Sequence, residues 1–270
     1  MKRKRLPGFG LTMSATLAWL GLIVLIPLAS LFFTTGSLTF EEFWKIAWSP
    51  RAVAAYKLTF GAALAAALVN GAIGFLLAWV LVRYRFPGRR VVDGLIDIPF
   101  ALPTAVAGLT YASLYSKEGW LGRYLSPLGI EAVNTPLAIT LVLVFVSLPF
   151  VVRTLQPVIE ELGSESEEAA ASLGASRWQT FRWVIVPSLL PALFTGIALA
   201  FARGVGEYGS IVFVSGNIPY KTEIASLLIV HQLEEYKFSG AAAIAIVLLV
   251  ASFAINGGLN LLSRWSKRHE

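Results

Sequence analysis

Two oppositely charged side chains lie four residues apart inside a long apolar segment, residues 188–214. Arg203 and Glu207 are the only charged residues of that segment. Ionised groups at membrane depth are costly, so they usually pair with each other or face a polar interior. One interpretation is an intrahelical pair that neutralises both charges. The alternative is that Arg203 attracts an anion on a transport path while Glu207 holds the guanidinium in place. The sequence leaves both interpretations open.

Three glycines beside this pair spell the dinucleotide-binding pattern GxGxxG. They are Gly204, Gly206 and Gly209. That pattern indicates a nucleotide site only where a strand precedes it within a βαβ unit, and this segment is apolar with no strand before it. We therefore exclude a dinucleotide site. In a membrane span the glycines favour close helix packing or a bend. They could also leave backbone N–H groups exposed to an anion.

Two prolines interrupt another apolar segment, residues 95–115. Pro99 and Pro103 free backbone groups that neighbours or water must satisfy, and Thr104 adds a hydroxyl beside the second proline. For any one of these residues a kinked helix is the simpler interpretation. Together with the segment around Arg203 they form the predicted lining of a transport path. Its members are Arg203, Glu207, Gly206, Thr104 and Pro103.

A charged loop, residues 160–187, separates two apolar segments and carries the signals of short helices. Ser164 precedes Glu167 by three positions, which is the spacing of a capping box and predicts a helix start. The alanines that follow are good helix formers. Gly174 lies where a glycine ends a helix.

The second half of the same loop repeats this pattern. Ser176 and Gln179 predict another capping box and a second short helix. Pro187 marks the start of the next apolar segment, because the N–H that proline lacks has no partner in a first helical turn. The loop is therefore predicted to form two short helices joined by a glycine turn.

Two interpretations of this loop compete. It is either an ordinary amphipathic loop or a protein-docking element. Docking is favoured because five acidic residues would be repelled by an anionic lipid surface. In addition, three aromatic residues need burial against a partner or the membrane. The acidic residues are Glu160, Glu161, Glu165, Glu167 and Glu168, and the aromatic residues are Trp178, Phe181 and Trp183.

The composition indicates a membrane protein, because 56% of the 270 residues are hydrophobic and only 14% are charged. A helix needs about 20 apolar residues to cross a bilayer. Six segments reach this length, and their continuous rather than alternating hydrophobicity favours helices over a β-barrel. They are residues 11–33, 58–82, 95–115, 132–152, 188–214 and 240–262. The prediction is an all-α polytopic protein with six transmembrane helices and one domain, residues 1–270. The first segment is read as a retained span.

Lysine and arginine are distributed unequally between the predicted loops. The N-terminus and the 83–94 loop hold four each, and the 153–187 loop and the C-terminal tail hold three each. The loops on the opposite side hold three, two and two. Since basic residues accumulate on the cytoplasmic side, both termini and the 160–187 loop are predicted to be cytoplasmic. The net charge of +6 reflects this asymmetry and gives no signal for nucleic acid.

Several kinds of site are excluded by what the sequence lacks. It has no cysteine and only two histidines, too few for a metal cluster. No Gly-Lys dipeptide occurs, so ATP cannot bind through a P-loop. We therefore expect no metal and no cofactor in this chain.

The loop also resembles the signature loop of ABC-importer permeases. The resemblance is carried by Glu168, Ala169 and Ala170, then Gly174, then Val184, Val186 and Pro187 at the family's spacing. It implies that the loop is a coupling helix seated in a cleft of a separate ATPase. The coupling residues it implies are Glu168, Ala169, Ala170, Gly174, Ala175 and Pro187.

Three longer stretches, residues 83–109, 149–163 and 202–217, resemble the T-type membrane subunit of bacterial sulfate/thiosulfate importers. The resemblance implies a type I ABC importer permease in the bacterial inner membrane that moves sulfate or thiosulfate by alternating access. The chain would be no enzyme, and ATP and Mg would bind the partner ATPase. The implied partners are a W-type permease, an ATPase dimer, a periplasmic sulfate/thiosulfate-binding protein, the sulfate anion and membrane lipid.

Other functions fit parts of the pattern. A molybdate or tungstate permease would use the same machinery, because these anions are also tetrahedral and doubly charged. A secondary transporter or channel acting alone would need a coupling carboxylate in a span. Glu207 is the strongest candidate for it, and Asp97 is weaker. An assembly subunit that transports nothing gains no advantage from a buried Arg–Glu pair, so it ranks last.

Overall fold

The computed structural model describes the backbone of residues 8–266 and the side chains of residues 8–258. This part of the chain is helical and contains no β-strand. The N-terminal basic residues 2–5 and the last four residues, on which the orientation of the termini partly rests, lie outside the described part.

The helices are labelled in chain order. They are α1 (Phe9–Thr35), α2 (Phe40–Ala47), α3 (Pro50–Arg83), α4 (Arg89–Ile96), α5 (Ile98–Ala101), α6 (Thr104–Tyr115), α7 (Gly122–Leu125), α8 (Pro136–Glu161), α9 (Glu165–Ser172), α10 (Arg177–Val205), α11 (Ile211–Val214), α12 (Ala225–Glu234) and α13 (Phe238–Ser266). Two of them contain a π-helical turn, Gly21–Leu25 in α1 and Phe181–Ile185 in α10. Five described helices, α1, α3, α8, α10 and α13, are long and apolar enough to cross a membrane.

The core is a bundle of α3, α8 and α10. Helix α13 packs against α10 and α12, and α1 packs against α13. The membrane-length apolar stretch of α1 has no residue buried against the rest of the described structure. Lipid tails are as apolar as leucine, so close packing and hydrogen bonds, more than the hydrophobic effect, hold such helices together.

Small residues line the buried face of α3 and allow this close packing. An added Cβ at Gly74 would lie 2.8 Å from Cγ1 of Val151 in α8, and one at Gly71 would lie 2.8 Å from Cδ1 of Ile197 in α10. Beside them the buried Asn70 amide donates to Ser147 Oγ at 2.9 Å. A larger side chain at Gly74 would displace Val151, and one at Gly71 would displace the end of the Ile197 side chain.

The predicted third span, residues 95–115, is not one helix. The chain is divided there into α4, α5 and α6, so the described part has five continuous spans and one broken segment. The break between α5 and α6 is caused by the second proline, because Leu102 and Pro103 are extended, with ψ of 133° and 132°. A residue before proline is driven out of the helical region by contact with the proline ring.

The predicted fifth span is displaced toward the N-terminus. Helix α10 ends at Val205 instead of Val214, and the chain turns through residues 206–210 before the short α11. The second loop helix is not separate, because it is the first turn of α10. Pro187 therefore lies within a continuous helix and does not begin it. The π-helical turn just before Pro187 is a common way for a helix to accommodate a disturbed hydrogen-bond ladder.

Candidate coupling helices and transport path

Helix α9 confirms the first predicted loop helix and its glycine stop. Gly174 has φ +84°, in the left-handed region that glycine occupies without strain. Its N–H donates to the Ala171 carbonyl at 2.9 Å, and the Ala175 N–H donates to the Ala170 carbonyl at 3.0 Å. These two bonds form a Schellman motif that satisfies the last carbonyls of α9. Ala170, Gly174 and Ala175 thus shape the end of this helix.

The predicted capping box at the start of α9 is wrong. Ser164 has helical backbone angles, and its side chain makes no capping hydrogen bond. Its carbonyl accepts the Glu168 N–H at 2.8 Å. The Glu167 carboxylate, which the box would have used, lies 2.7 Å from the guanidinium of Arg83 at the end of α3. Glu167 therefore pairs with a residue 84 positions away in sequence, and the predicted local pairing with Ser164 is absent.

The second capping box is confirmed. The Ser176 hydroxyl accepts the Gln179 N–H at 3.3 Å, and the Gln179 side chain accepts the Ser176 N–H at 2.8 Å. This box starts α10, which then runs into the membrane-spanning part of the chain.

The surface of α9 and of the first turns of α10 exposes both polar and apolar side chains. Glu168 and Ala169 are exposed, and Leu173 at the tip of α9 is 88% exposed. Among the described residues Phe181 packs inside the chain, with its ring centroid 5.9 Å from that of Trp79 and 5.8 Å from that of Trp178. Trp178 and Trp183 are exposed.

Arg203 and Glu207 form the ion pair predicted between them. Glu207 is 2% exposed, and its Oε1 also accepts the Ser210 N–H at 2.9 Å and the Ser210 hydroxyl at 2.8 Å. The pair spans the end of α10, where a cation interacts favourably with the last carbonyls. Glu207 is the sole described acceptor for the Arg203 side chain, which is 31% exposed.

The turn after α10 packs directly on the start of α6. A Cβ added to Gly209 would come closer than 3.0 Å to Thr104 Oγ1, and one added to Gly108 would equally overlap the Ser210 carbonyl. The structure therefore brings Thr104 beside the turn that contains Glu207, and Pro103 precedes it at an exposed position. Gly206 makes no such close approach, since its nearest neighbour would be 3.9 Å away.

Comparison with known proteins assigns the family. Residues 70–268 match the family described as the inner membrane component of binding-protein-dependent transport systems. The chain belongs to this family. The matched part includes the loop and every residue of the predicted path.

Relatives of this permease are similar over nearly its whole length. It is 48% identical over 267 residues to the sulfate transport system permease protein CysT of Escherichia coli K12, covering 98% of this chain and 96% of that protein. It is 50% identical over 254 residues to the protein of the same name from Synechocystis, covering 94% of this chain and 89% of that protein.

Solved structures share the permease's fold. A crystal structure of a bacterial ABC transporter involved in the import of the acidic polysaccharide alginate superposes with a TM-score of 0.77 at 18% identity, covering 94% of this chain and 93% of that chain. A crystal structure of an amino acid ABC transporter with histidines gives 0.57 at 19% identity, covering 84% and 99%. At these identities the similarity concerns the fold, and it confirms the predicted ABC importer permease fold.

A cluster around Arg153 of the permease was missed by sequence reasoning. Arg153 of α8 donates to Asp93 at 2.7 Å and to both carboxylate oxygens of Asp97, at 2.9 and 2.6 Å. Gln156 donates to the same Asp93 oxygen at 3.0 Å. Hydrogen bonding from Gln156, followed by that from Arg153, holds the pKa of Asp93 below its usual value. Asp97 is therefore a structural partner of α8.

One signal in the sequence pointed to this cluster. Asp93 and Asp97 are four residues apart and so share one helical face. No local pattern, however, indicates that Arg153 lies opposite them. Among the residues with described side chains, no group of three or more histidines or carboxylates is placed to hold a metal ion.

The start of α12 and the residues just before it connect the N-terminal part of α3 to the turn at Glu207. Arg51 makes two 2.7 Å hydrogen bonds to the buried Glu223 carboxylate. Thr59 Oγ1 accepts the first N–H of α12, from Ala225, at 2.8 Å, and the Ser226 hydroxyl donates to the Glu207 carbonyl at 3.0 Å. Helix α12 is thus packed into the bundle.

Proposed function

We propose that this permease is a pore subunit of an ATP-driven importer that carries sulfate or thiosulfate from the periplasm to the cytoplasm. The observation that carries the proposal is the likeness of about half of all residues, over nearly the whole chain, to proteins named as sulfate transport system permeases. A secondary transporter of another class would have no use for the loop that precedes α10.

The importer proposed to contain this subunit has four further proteins. A related W-type permease would complete the pore, two ATPase subunits would lie beneath it, and a periplasmic binding protein would deliver the anion. The ATPases would hold ATP and Mg and would perform the hydrolysis, so this chain would have no catalytic role. Both termini and the loop would be cytoplasmic, as the lysine and arginine distribution favours.

Helix α9 would be the part that enters the ATPase cleft. Its acidic first turn and the exposed Leu173 at its tip offer both charged and apolar contacts to a partner. The Schellman motif gives the tip a fixed shape, which reduces the ordering cost of binding. Closure of the ATPases would push on this tip, and α10 would carry the movement into the membrane without a break, because its first turn belongs to the loop.

Arg203 would meet the anion. A guanidinium has five N–H donors in a planar fork, a geometry that suits tetrahedral oxyanions, and the Glu207 carboxylate occupies only part of it. The two Ser210 bonds hold Glu207 in place, and Glu207 in turn fixes the guanidinium. Because the pair is neutral overall, it would guide the anion without trapping it.

Reconstitution of the complete importer tests this proposal. The permease, its W-type partner, the ATPase and the binding protein would be inserted in liposomes, and ATP hydrolysis and uptake of radiolabelled sulfate would be measured. We expect sulfate to stimulate both activities. Molybdate should compete weakly; stronger competition by molybdate than by thiosulfate would contradict the assigned cargo. Uptake by the permease without the ATPase would contradict the mechanism.

A further inference from the structure

Arg83 joins three elements at the end of the bundle nearest the loop. It is the last residue of α3, and its Nη2 donates to the carbonyl of Leu162, the C-cap residue of α8, at 3.0 Å. The same nitrogen lies 2.7 Å from Glu167 Oε1 on α9. One guanidinium therefore touches the ends of two core helices and the first turn of the candidate coupling helix.

The aromatic residues next to Arg83 extend this junction to a fourth element. The guanidinium carbon is 5.1 Å from the centroid of the Trp79 ring, a cation–π distance. The Trp79 ring in turn lies nearly perpendicular to that of Phe181, in the π-helical turn of α10, with the ring centroids 5.9 Å apart. The ends of α3, α8 and α10 are thus connected to α9 around this one side chain.

Few other contacts hold α9 to the core. A cavity of about 580 Å³ lies between α9 and the bundle, with Trp79, Glu167, Ala171 and Phe181 in its lining. The backbone of α9 approaches chiefly the first turns of α10. The Arg83 side chain spans the remaining gap to α3.

The contact between Arg83 and Glu167 also has unused hydrogen-bonding capacity. The two are close enough for an ion pair but are not aligned as a hydrogen bond, and both Arg83 Nε and Glu167 Oε1 are buried without a hydrogen-bond partner in the described structure. A carboxylate that approaches a guanidinium side-on can engage two nitrogens at once. A small shift of α9 along the end of α3 would give Glu167 that alignment.

We propose that Arg83 is a positioning residue that clamps α9 to the ends of α3 and α8, so that force applied to α9 reaches these core helices together. The proposal rests on the proposed function, in which α9 docks on the ATPase. Arg83 touches neither anion nor nucleotide, and it acts through Glu167. Without the clamp, α9 would still dock, but its displacement would be taken up in the cavity beneath it.

The test measures sulfate transported per ATP hydrolysed in the reconstituted importer. Arg83→Gln and Glu167→Gln should each lower this ratio about tenfold, within the usual range of coupling between sites, because hydrolysis continues while the spans respond less. Arg83→Lys keeps the charge and loses the planar fork, so it should recover only part of the ratio. Arg85→Gln is the matched control, since Arg85 is an exposed arginine two residues away with no described carboxylate partner.

A second measurement separates this inference from the proposed function. The chain has no cysteine, so Ser172→Cys places a single thiol at the end of α9 for cross-linking to the ATPase. Cross-linking that persists in Arg83→Gln, with a lowered transport ratio, supports the clamp. Cross-linking with an unchanged ratio overturns the clamp and leaves the proposed function standing. Absence of cross-linking in the otherwise unaltered chain overturns the docking role of α9, and the clamp with it.

Discussion

Glu207 is a buried carboxylate whose charge is balanced by one guanidinium and two donors from Ser210. Breaking a buried pair by removing one partner typically costs about 3–5 kcal/mol, because the remaining charge is left without compensation. The cost is much smaller when both partners become neutral. The structural role of Arg203 and its proposed role in transport can therefore be separated by experiment.

We expect Arg203→Ala to lower both the amount of assembled complex and sulfate uptake. The double variant Arg203→Ala with Glu207→Gln should recover assembly, since no unpaired charge remains buried, while uptake stays at least about tenfold below that of the unaltered protein. Assembly is measured by co-purification and uptake in liposomes. Recovery of uptake along with assembly would remove Arg203 from the transport path.

At this scale the sequence predicted some contacts and missed others. The Arg203–Glu207 pair and the Ser176–Gln179 box were predictable because both partners lie within one helical turn. Glu167 with Arg83, and Arg153 with the two aspartates, join residues more than 50 positions apart, and no local spacing encodes such pairs. The error at Ser164 follows directly, since a distant arginine took the carboxylate that local reasoning assigned to the cap.

Helix α9 depends on one backbone position for its end. Gly174 has φ +84°, and no neighbouring atom lies within 4 Å of a Cβ placed there, so the obstacle to substitution is conformational and not steric crowding. A left-handed residue with a side chain costs roughly 1–2 kcal/mol, less for asparagine.

Gly174→Val should therefore loosen the tip of α9 and lower sulfate-stimulated ATP hydrolysis several-fold, while the complex still inserts in the membrane. Gly174→Asn is the control and should retain most activity, because asparagine tolerates this conformation. ATP hydrolysis in liposomes measures the effect. Equal activities for the two variants would show that the shape of this turn does not matter for coupling.

Helices α4 and α8 are held together by groups that respond to acid. The pKa of Asp93 lies below its ordinary value of 3.8, so the folded state favours the ionised form. The stabilisation it provides is full at neutral pH, and it is lost as the pH falls through the lowered pKa.

Asp93→Asn should accordingly lower the thermal unfolding temperature of the purified permease at pH 7. The difference from the unaltered protein should shrink as the pH falls below 3.8 toward the lowered pKa of Asp93, because a protonated aspartate resembles asparagine. Ser116→Ala, far from this contact, serves as the control. A difference that stays constant between pH 7 and pH 3 would show that the charge of Asp93 contributes nothing to stability.

The positions of whole elements were predicted best where hydropathy and helix boundaries agree. Residues 58–82 fall inside α3 because the apolar segment is one uninterrupted helix. Residues 95–115 and 188–214 were each counted as one span. The prolines and glycines predicted an interruption or a bend there, but not that one helix ends at Ala101 and another at Val205. Both breaks lie at the predicted path, where local geometry departs from the regular helix that hydropathy assumes.

For the molecule as a whole, the distribution of basic residues predicts which ends of the helices face the cytoplasm. A cysteine-free chain allows this to be tested with one thiol at a time. Ser172→Cys, on the exposed loop, should react with a membrane-impermeant maleimide only in inside-out vesicles. Glu118→Cys, on the opposite side and also exposed, should react in intact spheroplasts. The reverse pattern would invert the topology.

The alanines and glycines that let α3 approach its neighbours also restrict how the permease can move. At Gly71 and Gly74 one side of the contact has no side chain, so fewer rotamers can change there to absorb sliding. The three-helix core should therefore travel as a single solid piece during each transport cycle. Deformation would be confined to its periphery, at the broken segment before α6 and the turn after α10, where a gate has room to open.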